Sequence, residues 1–449
     1  MTNQGFSKLG YYALDRITDV VPSFAPKVFQ KLFLGTFGSA FAYSLYLSKY
    51  RHQLLKTKNF DKILVVVDIN IGDAVLLQNS IAAVRNYFPQ AQIDYMCSQK
   101  GGQLLPRIPM ADNVYNVFTS GGIPSVKDAE AVRDILVAND YSLILNFSPF
   151  VSKRILSYGA NVLQMYIPMS AYILYLWHVK AEHMHISEIA YNFLGDFLKP
   201  LAKETNGAGL EIVRKSDIAV SKGNVVYLSH EDIHAAHEFL LSRDVFPFDR
   251  LLLFNPDVTM KFSMIPFSVQ VRALKNILES DDVDYALIAS AYFKKGIENE
   301  LLEALPAELR RKVIIVPYMS LGAFTALIDL CDVFLTGDTG PLHIAASRKK
   351  AANRTDELRN RTAVVSVIGP TDSRMFTYDS EKPGHMPAYQ DAPSKVFVGE
   401  APCRNVTCLN KTGKTCNEIR CFANIDPEKI SSYIVSYFRY LNTPARKLG

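Results

Sequence analysis

From Asp61 onward, short runs of apolar residues alternate with longer stretches in which apolar positions recur every three or four residues. Lys62-Ile63-Leu64-Val65-Val66-Val67 is β-branched and continuous, the pattern of a strand buried on both faces. A helix is predicted over Ala74–Phe88, with Leu77, Ile81, Val84 and Phe88 on one face and Pro89 closing it. Further strands are predicted over Ile93–Cys97, Val114–Phe118 and Leu143–Phe147, with a helix over Val126–Val137. Pro, Gly, Asn and charged residues break the rhythm over 199–223, which marks a domain boundary. A second series then runs strand Val225–Leu228, helix Asp232–Leu241, strand Leu251–Asn255, helix Pro266–Leu278, strand Tyr285–Ala289 and helix Lys294–Leu305. It continues through strand Val313–Val316, helix Leu321–Leu330, strand Val333–Thr336, helix Leu342–Ser347 and strands Val364–Ile368 and Val396–Val398. Short strand–helix connections of this kind imply parallel sheets covered by helices. Two such doubly wound α/β halves place their strand-end loops around one cleft, where ligands of open sheets bind.

The remaining segments change this picture little. Leu32–Leu47 is apolar but sixteen residues long, short of the ~20 that a membrane-spanning helix needs. Lysines flank it at 27, 31 and 49, so residues 1–58 read as an extension that either packs on the protein or lies on a membrane surface. Leu163–Val179, which holds the only tryptophan, Trp177, reads as core or as a lipid-facing surface. A net charge of +5 on 449 residues is mild and carries no nucleic-acid signature. Cys403, Cys408, Cys416 and Cys421 crowd together with a spacing unlike the paired Cys-x2-Cys of common zinc sites. A structural metal, free thiols and a disulfide all remain open for that cluster.

Three loops carry the candidate chemistry. In Asn70-Ile71-Gly72-Asp73, at the end of the first strand, Gly72 permits a tight turn and Asp73 stands at the helix start. A carboxylate there is suited to general-base work, and equally suited to capping the helix. Thr336-Gly337-Asp338-Thr339-Gly340-Pro341-Leu342-His343 follows an apolar strand and opens a helix, so its free amides make a phosphate seat. Thr339 adds a hydroxyl, Asp338 an acceptor and His343 an imidazole one turn on, although a lone histidine there also fits a packed core. In Asn255-Pro256-Asp257-Val258-Thr259-Met260-Lys261 the lysine is placed to offset a departing diphosphate, or simply to be solvated. Glu298, on the helix after the third strand of the second half, is a weaker candidate, since most helical glutamates face water. The Asp282-Val283-Asp284 match to a metal-binding Asp-x-Asp precedes a strand and faces the wrong end of the sheet.

In order and register, these elements resemble glycosyltransferase family 9, the bacterial heptosyltransferases of lipopolysaccharide assembly. The resemblance rests on Ile71-Gly72-Asp73, on Asp338-Thr339-Gly340 with His343, and on Gly369-Pro370-Thr371-Asp372, and it spans roughly residues 60–430. It implies a GT-B fold: two Rossmann-like doubly wound domains facing across a cleft, here with an N-terminal helical extension. The expected organisation is an extension over 1–58, an acceptor domain over 59–215, a donor domain over 216–430, and a C-terminal helix and tail over 431–449. By the same resemblance Asp73 is the catalytic base, and Lys261, Thr339 and Gly340 hold the donor diphosphate. Asp338 and His343 shape that pocket, and Glu298 lies near the donor's nucleoside. The implied reaction inverts the anomeric carbon without a metal or other cofactor. Its partners would be ADP-heptose and a lipid-linked glycan, met by a cytoplasmic protein at the inner-membrane surface. The chain departs from the family at Pro256-Asp257, around Lys261, and in a charged insertion over Arg348–Arg361, expected to meet solvent or an anionic surface. A catalytically degenerate GT-B scaffold is the rival reading. A Rossmann epimerase or dehydrogenase is disfavoured, because the Asp68–Asp73 turn has one glycine rather than the GxGxxG set.

Overall fold

The computed structural model describes residues 60–67, 71–98, 111–118, 125–147, 226–258, 263–290, 296–348, 362–371, 373–380, 393–400 and 421–442, with single positions in 44–48, 185–198 and at 358. The expectations for residues 1–58 and 163–179 therefore lie outside the described residues, apart from two single positions in the first segment.

The first half holds a four-stranded sheet in the order β3-β2-β1-β4, from β1 (Lys62–Val67), β2 (Gln92–Ser98), β3 (Asn113–Phe118) and β4 (Leu143–Asn146). All its pairings are parallel, with Ile63 opposite both Ile93 and Leu143. Helices α1 (Ile71–Tyr87) and α2 (Val126–Asn139) supply the crossovers. A full capping box starts α2, with Ser125 and Asp128 satisfying each other's backbone amides. Ile63, Leu64, Val65 and Val66 are wholly buried, as a parallel strand with both faces covered requires.

The second half begins with α3 (His230–Leu241), again opened by a capping box, Ser229 with Asp232. There follow β5 (Leu251–Asn255), α4 (Phe267–Leu278), β6 (Tyr285–Ile288), α5 (Ile297–Ala304), α6 (Ala307–Arg310), β7 (Val313–Ile315) and α7 (Leu321–Leu330). The chain continues through β8 (Val333–Thr336), α8 (Gly340–Arg348), β9 (Ala363–Ile368), α9 (Ser373–Phe376), β10 (Ser394–Val398) and α10 (Pro427–Leu441). Its six parallel strands lie in the order β10-β9-β8-β5-β6-β7. The order reverses between β5 and β8, as it does between β1 and β4 in the first sheet. Those two switch points are where doubly wound sheets open a crevice at the strand carboxyl ends.

Three expectations are corrected. Residues 226–229 form no strand: the buried Val226 gives its carbonyl to the Arg348 guanidinium instead of to a ladder. Arg348 itself, expected at the surface with the rest of the insertion, is buried and paired to Asp329 at 2.6 Å, its side chain only 3% exposed. A cation leaving water needs such a partner, and the pair fastens the end of α8 to α7 and to the entering chain. The helix expected from Lys294 begins at Ile297, because Gly296 at φ 83° occupies a left-handed position that a helix excludes. Asp282 and Asp284 sit before β6 and are held by Arg439 and Arg250, at 2.8 Å in each case. Cys421 is buried, the other three clustered cysteines lie outside the described residues, and no group of metal-ligating side chains occurs among the described ones. Among the described residues no helix is long and apolar enough to cross a membrane.

Candidate active site

The two halves meet through helix starts. Helix α1 leaves the carboxyl end of β1, α8 leaves the carboxyl end of β8, and their first turns pack together. The approach is close enough to demand glycine on both sides. A β-carbon on Gly72 would stand 2.8 Å from His343 Cδ2 and 3.0 Å from Gly340 Cα. One on Gly340 would stand 3.1 Å from the Gly72 nitrogen. This contact also explains why Ala74, Val75 and Leu76 are all buried: the first turn of α1 is covered by its own sheet and by α8. Asp73 is the third residue of α1, inside the first turn rather than at the cap, and its side chain lies outside the described residues.

On the donor side the strand ends are stitched by hydroxyls. Asn255 and Thr336 are ladder neighbours across β5 and β8. Asn255 Nδ2 donates to Thr336 Oγ1 at 3.1 Å and to Thr339 Oγ1 at 3.4 Å, and the two hydroxyls lie 3.0 Å apart. This network fixes the turn that leads into α8, whose first-turn amides and positive dipole end face the seam with α1. Asp338 accepts from the Thr371 hydroxyl, which ties the turn to the loop after β9. Burial raises the Asp338 carboxyl above the usual carboxylate range, and the Thr371 bond opposes that rise.

His343 is buried, and its Nδ1 lies 3.0 Å from the Tyr378 hydroxyl. Burial lowers its pKa to about 4, so the ring is neutral near pH 7. Tyr378 is wholly enclosed and lies edge-on to His343, with centroids 5.9 Å apart. Its other neighbour is His185, from the chain before the domain boundary, at 5.1 Å between ring centroids. Neither Tyr378 nor His185 was singled out from sequence.

Of the other candidates, Glu298 stands in the first turn of α5, and its Oε2 is buried with no partner among the described residues. Lys261 lies outside the described residues. Both ends of its loop are visible and held by one side chain, since Gln270 Nε2 donates to Pro256 O at 3.1 Å and to Ile265 O at 2.7 Å. The unusual Asp257 is wholly buried at the end of β5 and accepts from Ser290 Oγ at 3.0 Å. Asp338, Thr339, Gly340 and His343 thus come together against the α1 turn that carries Asp73, while Glu298 belongs to the neighbouring strand end.

Residues 249–352 match the model of glycosyltransferase family 9 (heptosyltransferase). The matched stretch runs from the start of β5 past the end of α8, and so contains the donor-side network just described. The glycosyl transferase family 9 structure from Veillonella parvula DSM 2008 aligns with TM-score 0.60 and 16% identity, covering 85% of this chain and 98% of its own. The E. coli ADP-heptose lps heptosyltransferase II aligns with TM-score 0.52 and 14% identity, over 85% of this chain and 100% of its own. The fold is accordingly GT-B, and the protein is a glycosyltransferase. A sequence search of curated proteins finds no match.

Proposed function

We propose that this glycosyltransferase transfers heptose from ADP-heptose to a lipopolysaccharide-core or related glycan, with inversion and without a divalent metal. The observation that carries the reading is the meeting of two helix starts at the switch points of two parallel sheets. One turn carries a carboxylate residue, Asp73, and the other a hydroxyl, free amides and a neutral imidazole. The ADP-heptose donor comes by analogy with the E. coli enzyme named above.

In this reading the donor diphosphate sits on the first turn of α8, contacting the Gly340 amide and the Thr339 hydroxyl, with Lys261 countering its charge. Glu298 and its unpartnered oxygen accept from hydroxyls of the donor's nucleoside. An acceptor hydroxyl attacks the anomeric carbon while the bond to the diphosphate breaks. Asp73 takes the hydroxyl proton and ADP departs with the bonding electron pair. One displacement of this kind inverts the carbon and leaves no sugar on the enzyme. The acceptor would be lipid-linked and met at the inner membrane surface, and any metal at the cysteine cluster would be structural, with no part in this step.

The test is ADP release from ADP-heptose with a deacylated core acceptor, with and without EDTA, in wild type and Asp73→Asn. Full activity in EDTA, an inverted product, and an Asp73→Asn variant that still binds ADP but transfers at least about 100-fold more slowly are expected. Undiminished transfer by Asp73→Asn would remove Asp73 as the base. Failure to bind ADP at all would remove the donor assignment.

A further inference from the structure

The Tyr378 hydroxyl has a single hydrogen-bond partner among the described residues, His343 Nδ1 at 3.0 Å. Tyr378 is 1% exposed, so no bulk water can take the phenolic proton. That proton is firmly held, since burial and then the nearby Asp338 carboxyl push the phenol well above its ordinary pKa. A neutral imidazole carries one N–H, on either Nδ1 or Nε2. Were it on Nδ1, it would point at the phenolic oxygen, and the phenol O–H would be buried without an acceptor, at a cost of about 1–3 kcal/mol. With the phenol donating to Nδ1, the buried O–H has its acceptor and the ring proton sits on Nε2.

The consequence lies on the other edge of the ring. Cδ2, bonded to Nε2, is the His343 atom that a Gly72 β-carbon would strike at 2.8 Å. The Nε2 edge therefore faces the seam where the first turn of α1 meets α8. An uncharged N–H donor there can meet a phosphate or sugar oxygen, whereas the other tautomer would present a lone pair and repel it. The His185 ring, 5.1 Å from Tyr378, packs against the phenol from the first half of the chain.

We propose that Tyr378 is a positioning residue that holds His343 as the Nε2–H tautomer, giving the seam a neutral hydrogen-bond donor to the donor substrate. The value of that donor to turnover rests on the seam being the donor site, but the tautomer itself does not.

The deciding measurement is ¹⁵N NMR of the imidazole nitrogens in full-length protein labelled at histidine, with His343 assigned by comparison with His343→Gln. Wild type is expected to show a protonated Nε2 and an unprotonated, hydrogen-bonded Nδ1. Tyr378→Phe, which keeps the ring and loses the hydroxyl, is expected to show a tautomer mixture. ADP-heptose turnover should fall about tenfold in Tyr378→Phe, and by much less when the same change is made on His343→Gln, whose amide N–H has no tautomer to set. An Nδ1–H signal in wild type overturns the proposal, as does a tautomer ratio unmoved by Tyr378→Phe. If Tyr378→Phe fails to fold, the wild-type spectrum alone decides the tautomer. A correct tautomer in a protein that neither binds ADP nor turns over ADP-heptose leaves this proposal standing and removes the donor assignment instead.

Discussion

Replacing Gly72 by alanine tests whether the two halves meet in solution as they do in the structure. Glycine inside a helix is normally a weakness, and alanine in its place gains about 1 kcal/mol. At Gly72 the added carbon has no room: it would stand 2.8 Å from His343 Cδ2 and 3.0 Å from Gly340 Cα, well inside ordinary contact. One of those neighbours is backbone and the other a ring locked to Tyr378, so neither yields by a simple rotamer change. Overpacking of that kind costs about 1–3 kcal/mol, which cancels the helix gain and leaves a net loss of up to about 2 kcal/mol. Gly195 supplies the control, since among the described residues a β-carbon there meets only the Tyr87 hydroxyl at 3.9 Å.

The assay is thermal unfolding of the two variants beside wild type, followed by the KM for ADP-heptose. Gly72→Ala should unfold at lower temperature and bind donor more weakly, because relief of the clash pushes α1 off the α8 turn. Gly195→Ala should unfold at the same temperature or slightly higher. A Gly72→Ala protein stabilised like Gly195→Ala, with an unchanged KM, would refute the reasoning: the helix starts would then be apart in solution.

Other outcomes follow from the same geometry. Arg348→Met takes the guanidinium away from the buried Asp329 carboxylate and should cost about 3–5 kcal/mol in chemical denaturation, with much of it recovered by adding Asp329→Leu. Gln270→Leu removes both bonds that pin the ends of the Lys261 loop, so donor KM should rise several-fold while stability falls by about 1–3 kcal/mol. The folded His343 takes a proton only near pH 4, while an unfolded histidine takes one near 6.5, so the unfolded chain binds more protons between those values. The stability tied to this ring is therefore complete above pH 6.5 and drains away as pH falls toward 4, by about 3 kcal/mol in all. Asp338 has the opposite slope, its raised carboxyl costing stability as pH rises past the ordinary carboxylate value. The His343 part is read by subtraction, as the steeper acid-side loss of wild type relative to His343→Gln.

Much of the architecture was legible because strands buried on both faces leave an unbroken apolar run between polar ends. Helix Leu321–Leu330 and strand Val333–Thr336 fall on the residues that the pattern predicts. The Val225–Leu228 run failed on the same logic: it is just as apolar, and Val226 is just as buried, but its carbonyl goes to a guanidinium instead of a neighbouring strand. Apolarity reports burial and says nothing of where a backbone hydrogen bond goes. Arg348 misled in the converse way, because its neighbours in the sequence are charged while its neighbours in space are Asp329 and a bare carbonyl.

The candidate site divides along the same line. Asp338, Thr339, Gly340 and His343 were legible because one strand–turn–helix brings them together within six residues. Tyr378 and His185 were not, because their meaning depends on a contact between three distant parts of the chain. The glycines lie between these cases. Read locally, Gly72 and Gly340 are turn residues before helices, and the structure places both inside helical first turns, where an alanine would serve the backbone better. Each is explained by the other: a β-carbon on Gly72 forces a shift at the seam, and one on Gly340 would stand 3.1 Å from the Gly72 nitrogen, tighter than ordinary contact. The cleft therefore owes its closeness to a pair of residues whose individual signals point only to local flexibility, and the Gly72 and Gly195 pair of variants separates the two meanings.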